Sequence, residues 1–262
     1  MRYKRAVMSA RAATTPHLME LLNADGRPPA ERRRLVALIE LLAALPPPPD
    51  PYGLFPTYAR RREGLLGAVA GTSGETLEHA FLELYCHLHG YEAPYTVDER
   101  ATVDRTGGYW CHAGGLTPML KAPDWITPTT RSADFGAGNG LQLLLVQKLA
   151  PHERTVQIEI SATMCAAGRE LQRWLGVPAD RVEWRQADVT TQSPCGFDFI
   201  YIYRPVRPEG PGADFYRRFS RDLDQPDSRT VVFSVADCLG GFLPPTFERF
   251  YFDGHLACFR RR

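Results

Sequence analysis

The stretch "SADFGAGNG", Ser132–Gly140, decides how this 262-residue chain is read. Asp134 and Phe135 lead into glycines at alternate positions, Gly136, Gly138 and Gly140, and the apolar run "LQLLLVQKLA" follows. Glycine loses more conformational freedom on folding than any other residue, so this spacing needs a reason. A strand that runs into a glycine-rich turn and then a helix N-terminus lets a ligand come close to the backbone. The nicotinamide spacing G-x-G-x-x-G fails here, because Leu141 holds the place of its third glycine. The pattern is G-x-G-x-G instead.

The segments downstream alternate between strand and helix patterns. "RTVQIEI" reads as a strand, and "SATMCAAGRELQRWLG" as a helix that Ser161 can cap and Gly176 can end. "RVEWRQADV", "FDFIYIYRP" and "RTVVFSVAD" read as further strands, and "GADFYRRFSRDL" as a helix. "TFERFYFDGHLACFRR" is two strand-like runs joined by Asp253-Gly254, a hairpin signal. Alternation of this kind implies a mainly parallel sheet. Glu159 closes the second strand about 20 residues past the glycines, where an acid can accept both ribose hydroxyls. Asp188 follows the third strand, where a carboxylate can accept from an adenine amino group. Each acid alone reads as a cap or turn residue; three matching strand ends in order do not.

With these residues in place, the chain resembles the class I, Rossmann-like S-adenosylmethionine-dependent methyltransferases. "DFGAGNG" is similar to their first motif, "QIEIS" to the second, "QADV" to the third, and "FDFIYIYRP" to the fourth-strand motif. The resemblance covers about residues 131–262. It implies strand order 3-2-1-4-5-7-6 with strand 7 antiparallel, and S-adenosylmethionine as cofactor. It also implies a cofactor site of Asp134, Gly136, Gly138, Asn139, Gly140, Glu159, Ile160, Asp188, Val189 and Tyr201. One departure is informative. Where methyltransferases of amino groups often carry N-P-P-Y, this chain has Tyr203-Arg204-Pro205-Val206. The asparagine that orients a planar amine is absent, which argues against nucleobase N-methylation.

The front half, residues 1–130, reads as a helical lid or substrate region ahead of a methyltransferase domain at 131–262. Leu35, Leu38, Ile39 and Leu42 have helical spacing between Pro28-Pro29 and the run Pro46–Pro49. A second amphipathic helix covers 74–89, and Thr96 with Glu99 has capping-box spacing. "TGGYWCHAGGLTPML" lies just before the first strand, so Gly114 and Gly115 are expected near the methionyl end of the cofactor. Tyr109, Trp110 and Arg204 are the expected acceptor-binding residues, and His112 and Tyr203 the candidates for handling a proton. A core-packing loop is the competing reading of that stretch, and Arg204 and Arg207 can equally be solvated.

Composition narrows the function classes. Lys plus Arg is 31 against 30 acids, so no net field draws nucleic acid or membrane. Scattered cysteines without a C-x-x-C pair, no apolar signal-length run near Met1 and no long apolar span predict a soluble, cytoplasmic protein. His79, Glu83 and His87 share a helix face with Cys86 adjacent, but a solvated face is the expectation, and no metal is called for. The predicted activity is methyl transfer to a small molecule. The alternatives are a Rossmann-type protein-lysine methyltransferase and a non-catalytic cofactor-binding or partner-docking module. The oligomeric state is not legible.

Overall fold

The computed structural model describes residues 15–23, 26–90, 95–109, 114–226 and 228–262. The chain divides into two compact units, the first comprising Met1–Pro48 and Phe55–Leu88, the second Pro49–Leu54 and His89–Arg262. The division therefore falls at Leu88/His89 instead of the expected 130/131, and residues 89–130 go with the sheet. No helix among the described residues is long and apolar enough to cross a membrane.

The first unit is helical. It has a helical segment over residues 15–21 (α1), then α2 (Pro29–Ala44), α3 (Tyr58–Val69) and α4 (Gly74–His87). The predicted stripe of α2, Leu35, Leu38, Ile39 and Leu42, is fully buried. So are Leu77, Phe81, Leu84 and Tyr85 of α4, whose start is capped by the Ser73 hydroxyl accepting from Thr76 N. An Arg27–Glu78 ion pair at 2.8 Å fastens the loop before α2 to α4.

The second unit opens with two helices, α5 (Val97–Thr106) and α6 (Leu116–Lys121). Then come β1 (Arg131–Phe135), α7 (Leu141–Leu149), β2 (Arg154–Glu159), α8 (Ala162–Leu175) and β3 (Val182–Gln186). The chain closes with β4 (Phe199–Tyr203), α9 (Pro211–Leu223), β5 (Val231–Val235), β6 (Phe247–Phe252) and β7 (Leu256–Arg261). The seven strands form one sheet in the order β3-β2-β1-β4-β5-β7-β6. β7 is antiparallel to both of its neighbours, and the other pairs are parallel. This is the order that the resemblance implied.

Burial explains the order. Every residue of β5, and every residue of β1 after Arg131, is buried, as central strands covered on both faces must be. α9 lays Phe215, Tyr216, Phe219 and Leu223 onto the sheet, and Phe219 meets Phe135 edge to face at 4.9 Å. Ser161 caps α8 by accepting from Met164 N, and Gly176 ends it, both as expected. At the outer edge, β6 has a register shift between Arg249 and Tyr251.

A polar cluster sits where β1 and β2 begin, at the end of the strands opposite the glycines. Ser132 Oγ lies 2.8 Å from His152 Nε2, Thr155 Oγ1 is 2.9 Å from the same nitrogen, and Gln147 Nε2 donates to Thr155 at 3.0 Å. All four side chains are buried and satisfied, so this serine–histidine contact braces the sheet and offers a substrate nothing. Burial holds the His152 imidazole below its usual pKa. The Ala150 carbonyl works against that lowering and the Arg181 guanidinium adds to it.

The unfolded chain therefore takes up a proton near pH 6.5 that the folded chain refuses, and stability falls as the pH drops below that value. The expected loss is at most about 1.4 kcal/mol per pH unit. The raised carboxyls of Asp134 and Glu159 act in the opposite sense, so the comparison that isolates His152 is wild type against His152→Gln. The thermal midpoint of the variant is expected to fall less on acidification; equal slopes would overturn this account.

Candidate functional site

The C-terminal ends of β1 to β4 converge on one cavity. Asp134, Gly136, Gly138, Asn139, Glu159, Ile160, Asp188, Val189 and Tyr201 all line it. These are the predicted cofactor residues with one exception. Gly140, read from the sequence as a binding residue, does not line the cavity. It stands at φ +67 as the N-cap of α7, and a Cβ there would lie 2.6 Å from the Trp184 ring and 2.9 Å from the Gln157 side chain. Its glycine answers to packing on the next two strands. Gly136, at φ +90, does meet the cavity, and a Cβ there would press to 3.0 Å from Pro205.

Glu159 ties the glycine turn to the strand beside it. Oε2 accepts from Gly138 N at 2.8 Å and Oε1 from Ser161 N at 2.9 Å. A carboxylate has four lone-pair sites, so acceptor capacity remains for a ligand. Burial raises the Glu159 pKa, the N–H groups of Ser161, Gly138 and Ile160 pull it down, and Glu99 adds to the rise. Asp134 is pushed well above the usual carboxylate range by burial and then by the charge of Glu159. Its Oδ1 is buried without a hydrogen-bond partner. Asp188 accepts from Thr190 N and Thr190 Oγ1, both on Oδ1, at 2.8 and 2.7 Å. Its Oδ2 is left as an acceptor.

The opposite wall comes from residues before β1. Tyr95, Val103, Thr106, Gly108, Tyr109 and Gly114 line the cavity, and Gly108 pairs with Val206 in an isolated antiparallel bridge. Tyr109 N donates to Pro205 O at 3.0 Å and Arg207 N to Gly107 O at 2.9 Å, which fixes this wall to the segment after β4. The capping box at Thr96 and Glu99 forms as expected. Glu99 also does something its spacing did not announce: Oε1 accepts from Ala162 N at 2.8 Å, pinning α5 to the first turn of α8. His89 lines the cavity too, and burial lowers its pKa to about 4, so it is neutral there.

Of the acceptor-side residues, Tyr109, Tyr203 and Arg204 line the cavity. Tyr203 meets His255 edge to face at 5.7 Å. Trp110 and His112 lie outside the described residues. Gly114 lines the cavity, whereas Gly115 caps α6 and accepts through its carbonyl from Gln142 Nε2. On α4, Glu83 stands 3.7 Å from both His79 and Arg61, while His87 turns to Thr57 Oγ1. No group of three or more His, Cys, Asp or Glu among the described residues is arranged to hold a metal. Among the described residues, Cys86, Cys165, Cys195, Cys238 and Cys258 form no disulfide.

S-adenosylmethionine fits these residues. The orphaned, buried Asp134 oxygen and its carboxylate neighbours suit a ligand that carries an ammonium, vicinal hydroxyls and an aromatic amine, all of them donors. What decides the fold is the strand order together with acids at the ends of β1, β2 and β3. The fold is that of the class I, Rossmann-like methyltransferases.

No protein-family model matches the chain. No curated protein matches it. Among solved structures it is similar to an RNA methyltransferase from Salinibacter ruber in complex with S-adenosyl-L-homocysteine, at 22% identity over 64% of this chain and 93% of that one, TM-score 0.43. A methyltransferase from Geobacter sulfurreducens is 16% identical over 65% and 93%, TM-score 0.44. A ribosomal protein L11 methylase from Lactobacillus delbrueckii subsp. bulgaricus is 15% identical over 59% and 81%, TM-score 0.43.

Proposed function

We propose that this protein transfers the methyl group of S-adenosylmethionine to a small-molecule acceptor. The observation that carries the reading is Glu159, at the end of β2, bonded through its carboxylate to Gly138 N of the glycine turn in a cavity it shares with Asp134 and Asp188. Glu159 accepts the ribose hydroxyls, Asp188 the adenine amino group, and Asp134 offsets the positive end of the methionyl portion. When bound, S-adenosylmethionine supplies a methyl carbon activated by a positively charged sulfur. The residues of this chain align the two partners and exclude water, which is most of what such a displacement requires. Tyr203 and His112 are the candidates for taking a proton from an acceptor that arrives protonated. Tyr109, Trp110 and Arg204 hold the acceptor.

Charge separates this reading from a nicotinamide enzyme. Three carboxylates line the cofactor side, and the one permanent cation among the described lining residues is Arg204. A diphosphate brought to within ~5 Å of a single carboxylate meets a repulsion of order 3 kcal/mol per charge at an effective dielectric near 20. S-adenosylmethionine, with two positive groups and one negative, is attracted instead.

Calorimetry is expected to find binding of S-adenosylmethionine and S-adenosylhomocysteine and none of NAD. A bound cation favours the ionised forms of Asp134 and Glu159, whose carboxyls are raised in the free protein. Binding should therefore release protons, so affinity rises with pH above the ordinary carboxylate range, and the measured heat should depend on the ionisation enthalpy of the buffer. Tight NAD binding without a response to either adenosyl ligand would sink the proposal. Labelled S-adenosylmethionine incubated with cell extract, sorted into small-molecule, RNA and protein pools, then tests the acceptor class.

A further inference from the structure

The cavity is divided by charge. Its carboxylates, Asp134, Glu159 and Asp188, stand at the ends of β1, β2 and β3, and its cation, Arg204, follows β4 among Tyr109, Tyr201 and Tyr203. Among the described residues no carboxylate pairs with Arg204. Its partner is neutral: Nη2 donates to the Tyr109 hydroxyl at 2.9 Å, and the guanidinium lies 4.5 Å from the centre of the Tyr109 ring. Nε is buried and has no hydrogen-bond partner.

The backbone adds a second, independent sign. Arg204 sits at φ +43, one of two non-glycine residues in the left-handed region among those described. That conformation costs an arginine roughly 1–2 kcal/mol. The pairing of residues 107–109 with 205–207 holds it in place. A strained backbone that carries an unneutralised guanidinium into a tyrosine-lined cavity calls for an anion with flat surfaces.

We infer that Arg204 seats the carboxylate of a planar, acidic small-molecule acceptor, with Tyr109 and Tyr203 flanking its ring. This rests on the methyltransferase reading and names the substrate class within it. A guanidinium fork matches a carboxylate in geometry, and Nε is the donor still to be satisfied. A monoanion is favoured over a phosphate, because a dianion would meet about twice the repulsion from the carboxylates that line the same cavity.

The test uses the full-length protein saturated with S-adenosylhomocysteine. Salicylate, 4-hydroxybenzoate and 3,4-dihydroxybenzoate are titrated calorimetrically beside their amides and phenyl phosphate. At least one acid is expected to bind tenfold or more tightly than its amide and than phenyl phosphate. Arg204→Gln should abolish that preference while still saturating with S-adenosylhomocysteine, which also shows that the variant is folded. Arg207→Gln is the control: Arg207 lies over the same Tyr109 ring at 5.5 Å but does not line the cavity, and acid binding should persist.

Equal binding of acid and amide, tighter binding of phenyl phosphate, no acid bound at millimolar concentration, or an acid preference that survives Arg204→Gln would each overturn the inference. Failure of S-adenosylhomocysteine to bind wild type would strike the methyltransferase reading instead. The acid series titrated without it would still report on Arg204.

Discussion

Replacing Glu159 with glutamine is expected to weaken binding of S-adenosylmethionine and S-adenosylhomocysteine at least tenfold. A charge-assisted hydrogen bond contributes about 1.5–3 kcal/mol, and 1.4 kcal/mol is a factor of ten. Loss of acceptors to both ribose hydroxyls would then approach a hundredfold or more. Glutamine suits the test better than alanine because of what the carboxylate already does. It accepts from Gly138 N and Ser161 N, and alanine would leave both buried donors unpaired at roughly 1–3 kcal/mol each. The glutamine oxygen keeps one of these bonds, and its neutral amide removes a charge that burial disfavours. The thermal midpoint without ligand should therefore change little while affinity drops. A calorimetric titration alongside a melting curve reads both. Unaltered affinity would mean that Glu159 only braces the glycine turn.

Removing the wall in front of β1 should have a larger effect still. A chain beginning near Thr127 loses Tyr95, Val103, Thr106, Gly108, Tyr109 and Gly114 from the cavity lining, and with them the Glu99 bond to Ala162 N. It also deprives Pro205–Arg207 of its pairing partner. Cofactor binding is expected to become undetectable in equilibrium dialysis with labelled S-adenosylhomocysteine, with no methyl transfer, while circular dichroism still reports a sheet. A chain beginning at His89 keeps every described lining residue, and its affinity should stay close to that of the full-length protein. Full affinity in the chain from Thr127 would show that the strand ends alone hold the cofactor.

What was legible in advance follows from what is local. The glycine turn, Glu159 and Asp188 can be placed from spacing, because each lies at the end of a recognisable strand and the fold turns all those ends to one side. The caps at Thr96 and Ser161 are local for the same reason. Helix α3 went unread: it contains Gly64 and Gly67 and has no side-chain N-cap, so its sequence advertises little. Gly140 reads as a ligand-facing glycine from its spacing, because the ring that crowds it, Trp184, is two strands away in the chain. The change in pattern at Arg131 marks where strands begin, whereas the compact units divide at Leu88/His89. Compactness depends instead on non-local ties such as Glu99 to Ala162, Gln142 to Gly115 and Gly108 to Val206.

The outer strand β6 carries a hazard and its remedy together. "FERFYF" is a six-residue, aromatic-rich run with no strand on its outer edge among the described residues, the kind of segment that recruits other chains into cross-β stacks. Arg249 and Glu248 interrupt it, Arg260 pairs with Glu248 at 2.6 Å from the neighbouring strand, and the shifted register breaks the flat ladder a second chain would need. These charges act as gatekeepers. Their contribution lies less in holding the native fold than in keeping partly folded chains apart during synthesis, when β6 is made before the β7 that will cover one of its edges.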